Sequence, residues 1–332
     1  SDEDSASSSS DCRSRNATIG SWALDETGTV DTSLLCKNYE TNERLALVEQ
    51  QEGISVSQLS VPDEVLQIHG AAPSSKPDGV VRLIYENVNG LNNRICGNAK
   101  VERAKELHDD LEVDLVAYNE HRLNMGHKSN VNGFNQLFKG GESSIQSVVA
   151  HNVHENIGRV QEGGTSLMAF GPITEYLEKD ESCKDETGLG RWAVMTFNGD
   201  TGRTRVVCGY NPCYNSKQDS STTYQQHRRY FITHQKDLKC PRVKFREDLL
   251  AQLVQWREEG DKLIVCLDTN EHIYNKALGK ALTNADGLAM KEVVGEFTGK
   301  AIGTTFFRGS KPIDGVWATT DITICNATLM PA

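Results

Sequence analysis

From residue 80 onward, apolar residues come in short runs separated by glycine, proline and polar clusters. Residues 80–88 (VVRLIYENV), 113–119 (VDLVAYN) and 163–170 (GGTSLMAF) are too short for stable helices and carry many β-branched or aromatic side chains, so they read as strands. Residues 191–210 hold two such runs around Asn198-Gly199-Asp200-Thr201-Gly202, which predicts a hairpin. Residues 263–267 (LIVCL) are apolar at every position, as a strand buried on both faces requires. Two more strands are expected within residues 312–329. Helical spacing occurs twice: Val101, Ala104, Leu107 and Leu111 share a face of residues 99–111, and Leu249, Leu250, Leu253 and Trp256 share a face of residues 246–260. Strands with helices inserted between them predict an α/β fold with a two-layer β core covered by helices.

The first part of the chain has a different texture. Residues 1–35 are rich in serine and aspartate and hold too little apolar surface to offset ordering entropy. A weakly amphipathic stretch, NERLALVEQQ, follows, and AAPSSKPDG at 71–79 reads as a linker. The expected organisation is a largely disordered leader and linker over 1–78 and one domain over 79–332. Charge divides the same way. Residues 1–78 carry 14 acidic and 5 basic side chains, a balance of −9, whereas 79–332 carry 32 and 30, a balance of −2, which together give the chain its −11. A nearly neutral domain can bind a polyanion where its basic groups cluster and a divalent cation assists. The chain opens on Ser1 with no apolar signal-peptide core, and it is expected to be a piece of a longer product. Nine scattered cysteines with no Cys-x-x-Cys pair argue against a zinc site or a disulfide framework and for a reducing, intracellular compartment. No run approaches the roughly 20 apolar residues of a membrane helix, and no membrane partner is expected.

Candidate chemistry gathers where the strands stop. The first strand leads into Glu86, Asn87 and Asn89, the second into Asn119, Glu120 and His121, the hairpin into Tyr210 and Asn211, the LIVCL strand into Asp268, Asn270 and His272, and Ile313 into Asp314. Taken singly, each has a bland explanation. An Asp after a strand commonly makes an Asx turn or caps a helix, and a Tyr there packs an edge with its hydroxyl in solvent. Together, at one edge of a sheet, they supply carboxylates, amides and a phenol to a single site.

The order and spacing resemble the endonuclease/exonuclease/phosphatase superfamily. Asn87-Val88-Asn89-Gly90 resembles its opening Asn-x-Asp/Asn-Gly motif, Asn119-Glu120-His121 its Gln-Glu motif, Tyr210-Asn211-Pro212 its Tyr-x-Pro, Asp268-Thr269-Asn270 its Gly-Asp-x-Asn, and Thr304-Thr305 through Asp314 its late Ser-x-x-Asp segment. The likeness spans residues 80–332. It implies a four-layer α/β/β/α sandwich, two packed mixed β-sheets flanked by helices, and divalent-metal phosphoester hydrolysis with Mg²⁺ (or Mn²⁺). By this resemblance Glu120 holds the metal with Asn87 beside it, and Asp268 orients and deprotonates the attacking water. Asn270 then fixes the phosphate or the nucleophile, Tyr210 donates to a non-bridging oxygen, and Asp314 orients a histidine.

The pattern departs in places. Leu267 stands where the family has Gly, Asn119 where it has Gln, and Cys213 follows Tyr-x-Pro where Asn is common. The Ser/Gly-Asp-His motif that supplies the histidine does not follow Asp314 and would fall roughly ten residues past Ala332. Truncation is the preferred explanation, and poor activity is expected for want of that histidine. His121 and His272 are candidate replacements, but the favoured reading is that they line the pocket or bond a loop carbonyl.

Residues 222–246 hold seven Lys/Arg, two His, two Tyr and two Phe against one acid. Such interleaving suits a groove that contacts phosphates and stacks bases, and equally a solvated helix whose arginine stems pack on the surface. With Asn89 and His272, Arg228 and Arg229 are therefore expected to contact substrate. DNA is the expected partner and an endonuclease the expected activity, as in the nuclease domains of non-LTR retrotransposons, which would place the chain in the nucleus. A phosphatase or phosphodiesterase for small or lipid phosphates, and an inactive nucleic-acid-binding module, remain the alternatives.

Overall fold

The computed structural model describes residues 17–21, 69–70, 75–91, 99–127, 130, 134, 144–155, 158, 160–305 and 309–330. Twelve strands are described: β1 (Ala17–Ser21), β2 (His69–Gly70), β3 (Arg82–Asn87), β4 (Leu115–Asn119), β5 (Ile145–Ala150), β6 (Thr165–Phe170), β7 (Trp192–Gly199), β8 (Gly202–Tyr210), β9 (Lys262–Asp268), β10 (Lys291–Glu292), β11 (Asp314–Ala318) and β12 (Asn326–Leu329). They form two sheets, one ordered β2-β12-β1-β3-β4-β6-β5 and the other β10-β11-β9-β8-β7. Both are mixed: β3–β4 and β8–β9 are parallel, and their remaining pairs are antiparallel.

The two-residue period of the strands sorts side chains into layers. Leu83 and Tyr85, Leu115 and Ala117, and Leu167 and Ala169 face the second sheet and share a core with Val207, Val265 and Leu267. Ile84, Val116, Tyr118 and Met168, one residue out of phase, face the other way and pack against Val101 of α1 (Ala99–Asp110). The second sheet is covered by α3 (Pro241–Glu258), which buries Phe245, Leu249, Leu253 and Trp256 at helical spacing. Each such side chain contributes roughly 1.5–3 kcal/mol. Leu250, expected inward, is only partly buried because the stripe falls at four-residue steps from Phe245. The helix also starts earlier than its apolar spacing predicts, at Pro241, where a proline at the first position needs no N–H partner. Shorter helices α2 (Thr223–Tyr230), α4 (Ala277–Thr283) and α5 (Val293–Thr298) complete the helical cover. The expected layered sandwich is the architecture found.

The leader departs from expectation. Residues 1–35 read as disordered, yet Ala17–Ser21 is a strand inside the first sheet, antiparallel to both β12 and β3. His69–Gly70 adds an edge strand beside β12. The ATIGS segment has no apolar run, so local composition could not signal it; backbone pairing on both sides holds it. The helix suggested by NERLALVEQQ lies outside the described residues. Among the described residues, no helix is long and apolar enough to cross a membrane.

Candidate active site

Strand register alone brings the polar strand ends level. Asn87 is the Cα partner of Asn119 in the first sheet. In the second, Tyr210 is the partner of Asp268, and Asp268 in turn of Asp314. The two sets then bond to each other across the sandwich. Asn87 Nδ2 donates to Asp268 Oδ2 at 2.7 Å, Tyr85 Oη donates to Asp314 Oδ1 at 3.1 Å, and Asn119 Nδ2 donates to Tyr85 Oη and to the Gly209 carbonyl, both at 2.9 Å. Cys208 Sγ completes the seam on Asn119 Oδ1. Asn87, Asn119, Glu120, Asp268 and Asp314 are all buried.

Each acid is held in place. Asp268 Oδ1 accepts the backbone N–H of Asn270 at 3.0 Å, an Asx turn that aims Asn270 back across the strand ends, where its Nδ2 donates to the Asn211 carbonyl at 2.6 Å. Asp314 Oδ2 accepts from Thr305 Oγ1 at 2.9 Å, and that hydroxyl oxygen accepts the N–H groups of Ile313 and Asp314. Burial, and then the Asp314 and Asp268 carboxylates beside it, push the Tyr85 phenol well above its usual range, so it remains a proton donor. Tyr210 is buried, and its N–H donates to the Arg191 carbonyl at 2.8 Å.

Three non-glycine residues just past the strand ends lie in the left-handed region: Asn89 (φ 44), Glu120 (φ 52) and Asn270 (φ 50). Such conformations cost of order 1 kcal/mol or more each and persist where the surroundings enforce them. The Glu120 turn is enforced by backbone bonds from its N–H to the Gly164 carbonyl (2.8 Å) and from the Gly90 N–H to its carbonyl (2.6 Å).

The donor set fits a hard divalent cation. Asn89 Oδ1 is buried and meets no hydrogen-bond donor among the described residues. With the Glu120 carboxylate and the Asn87 amide oxygen, which already accepts the Asn89 N–H at 3.1 Å, it would make an all-oxygen set carrying one negative charge. Mg²⁺ accepts such a set because it keeps several of its waters. Arg122 Nη2, 3.7 Å from Glu120 Oε2, is the nearby positive charge. Among the described residues, no three His, Cys, Asp or Glu side chains cluster as metal ligands.

His121 has a structural role. Its Nδ1 accepts the Leu123 N–H at 3.0 Å and its Nε2–H donates to the Ala150 carbonyl at 2.9 Å. Gly164 leaves room for the ring: at φ +88, a Cβ there would sit 2.4 Å from Nε2. Burial lowers the His121 pKa to about 4, the backbone bond to Ala150 opposing only part of the shift. The unfolded chain takes up this proton near pH 6.5 and the folded one only near pH 4. Stability present above pH 6.5 is therefore lost as pH falls toward 4, by roughly 3 kcal/mol for this group. His108 and His227 are shifted the same way by burial. Urea unfolding between pH 7.5 and 4.5 should show the decline, with a shallower slope for His121→Gln; equal slopes would remove His121 from the account.

The other expected contacts divide. The described hydrogen bonds of His272 are local, its Nδ1 accepting the Tyr274 N–H at 3.3 Å. Arg229 braces the fold: its guanidinium forks onto Glu155 at 2.8 and 2.7 Å and caps the Gln218 and Ser220 carbonyls. Arg228 is half-buried and makes no described ion pair. Two contributors escaped the sequence reading. Tyr85 lies two residues before Asn87, hence on the same strand face, and a phenol inside a buried strand must find a polar partner. Arg242 clasps the Asp268 turn, its Nη2 donating to the Asn270 carbonyl at 3.2 Å and to Glu271 Oε2 at 3.0 Å. Nothing local marks it.

No family model and no curated protein matches the chain. Among solved structures it is similar to an AP endonuclease, LMAP, from Leishmania major (14% identity, 80% of this chain and 82% of that one, TM-score 0.46). It is similar also to an AP endonuclease from Archaeoglobus fulgidus (13%, 72% and 86%, 0.45) and to the human Nocturnin catalytic domain (13%, 72% and 82%, 0.43). These are likenesses of fold alone.

Proposed function

We propose that the chain is a divalent-metal-dependent phosphodiester hydrolase, an endonuclease acting on DNA. The observation that carries this reading is the Asn87–Asp268 hydrogen bond, 2.7 Å across the two sheets, which joins the Glu120 end of one sheet to the Tyr210, Asp268 and Asp314 end of the other. Asp268, acceptor-only and oriented by Asn87 and Asn270, takes the proton of the water that attacks phosphorus as the bond to the leaving sugar oxygen breaks. Asn270 and Tyr210 donate toward the phosphate oxygens without adding negative charge beside an anion. Mg²⁺ or Mn²⁺, held by Glu120 with Asn87 and Asn89, would supply neutralising charge to the phosphate.

The test is relaxation of supercoiled plasmid by the chain with Mg²⁺ and with EDTA. Nicking that appears with the metal and vanishes with the chelator is expected. A folded protein that leaves the plasmid intact but releases phosphate from inositol phosphates would replace the nuclease with a small-phosphate hydrolase.

A further inference from the structure

A second feature lies on the site's rim. α2 begins beside the Glu120 turn: Thr223 packs against Gly163, whose carbonyl accepts the Arg122 N–H at 3.0 Å. Gln226 Oε1 accepts from Gln161 Nε2 and from Asn152 Nδ2, both at 2.8 Å, and Asn152 Oδ1 accepts the His154 N–H. These bonds fix α2 and the His154 loop together on the side of the sandwich that carries Glu120.

At the far end of α2 the helix widens into a π-turn, Phe231–Gln235, and three rings converge. Tyr230 and His234 stack at 4.7 Å with planes 21° apart, and His154 lies 4.4 Å from Tyr230 and 5.4 Å from His234. His154 and His234 are exposed and Tyr230 is half-exposed, with Ile232 38% exposed on the same turn. His154 is immobilised by donating from Nε2 to the Thr187 carbonyl at 2.7 Å. Most cations of this segment are spoken for: Arg229 by Glu155, Lys239 by Glu247, Arg242 by Glu271, and Lys244 by Asp237 and Asp248. Arg228 and Lys236, which bracket the rings in sequence, make no ion pair among the described residues.

We propose that the stacked Tyr230 and His234 rings, with His154 tilted against them, are a platform for a nucleobase of a single-stranded stretch of nucleic acid whose scissile phosphate lies at the Glu120–Asp268 site. The proposal rests on the hydrolase reading and deepens it. Pre-stacked rings lose little freedom when a base is added, and every base offers a π-face, so such a platform binds without reading sequence. Arg228 and Lys236 supply the positive charge that the flanking phosphates require. Seven helical steps separate Thr223 from Tyr230, about 10 Å. The stacked base therefore belongs to a nucleotide flanking the scissile phosphate, beyond the first turn of α2.

Binding is measured by fluorescence anisotropy with a labelled single-stranded oligonucleotide in EDTA, so that no cleavage intervenes. Tyr230→Ala and His234→Ala should each weaken binding about tenfold, whereas Tyr230→Phe, which keeps the ring, should not. An oligonucleotide of abasic sugars should bind parent and alanine variants alike, and Arg228→Ala should lower the salt slope by about one. The platform is overturned if alanine variants of unchanged melting temperature bind the normal oligonucleotide as tightly as the parent, or if Tyr230→Phe is as damaging as Tyr230→Ala. His234 is exposed, so its variant keeps the test usable should Tyr230→Ala not fold. Metal-dependent hydrolysis of bis(p-nitrophenyl) phosphate by the parent tests the hydrolase reading separately, since that diester carries no nucleobase.

Discussion

Asp268→Asn is expected to lower metal-dependent cleavage by about a thousandfold, the scale of a lost general base. The carboxylate is fully buried and accepts two hydrogen bonds, one on each oxygen, from Asn87 Nδ2 and the Asn270 N–H. An amide keeps the shape but has one acceptor for two donors. Whichever way it turns, an NH₂ group faces an N–H, so roughly 1–3 kcal/mol of stability should also be lost. The two effects are separable. Urea unfolding reads the stability change, and single-turnover cleavage under conditions where the variant is fully folded reads the chemistry. A residual rate within about tenfold of the parent, beneath the usual range for a removed base, would place the base elsewhere.

The sandwich and the level of its site were legible because strand signals are local. The β3, β4, β6, β8 and β9 segments announce themselves by β-branched runs that stop on polar residues, and Asn87, Glu120, Tyr210, Asp268 and Asp314 are the residues at which they stop. Connections that exist only after folding were not legible. β1 has no apolar signature and is held by two neighbours distant in sequence. Arg229 looks like a phosphate ligand until Glu155, 74 residues away, takes both of its donor faces. Tyr85 looks like a core aromatic until Asp314, 229 residues on, meets its hydroxyl. His121 follows a motif residue directly, yet its bonds to Leu123 and Ala150 make it part of the scaffold. Residue type and spacing thus picked out the polar strand ends that the fold brings level, whereas the side chains that bond to them belong to long-range pairing.

Arg191→Ala should cost about 3–5 kcal/mol of stability, the usual result of removing one partner from a buried ion pair. The guanidinium is 1% exposed, forks onto Asp185 at 2.8 Å through both Nε and Nη2, reaches Asp248 Oδ2 at 2.7 Å through Nη1, and lies 4.5 Å over the Trp192 ring. Burial alone would raise the Asp185 pKa, but the hydrogen bonds and charge of Arg191 hold it below its ordinary value. Without the Arg191 side chain that carboxylate is a buried charge held by Thr187 and the residue 191 N–H, with no positive partner beside it. Asp248 is partly exposed and can be rehydrated. The carboxylate left behind therefore supplies most of the cost. On that account, Arg191→Met combined with Asp185→Asn should be more stable than Arg191→Met alone, because the charge leaves with its partner and the amide can still accept from Thr187. Equal instability of the single and double variants in urea would show instead that arginine packing on Trp192 dominates. The consequence extends to the site, because the Arg191 carbonyl accepts the Tyr210 N–H and so fixes the backbone from which the phenol projects. Cleavage by the double variant should accordingly recover with its stability, since that backbone bond does not depend on either side chain.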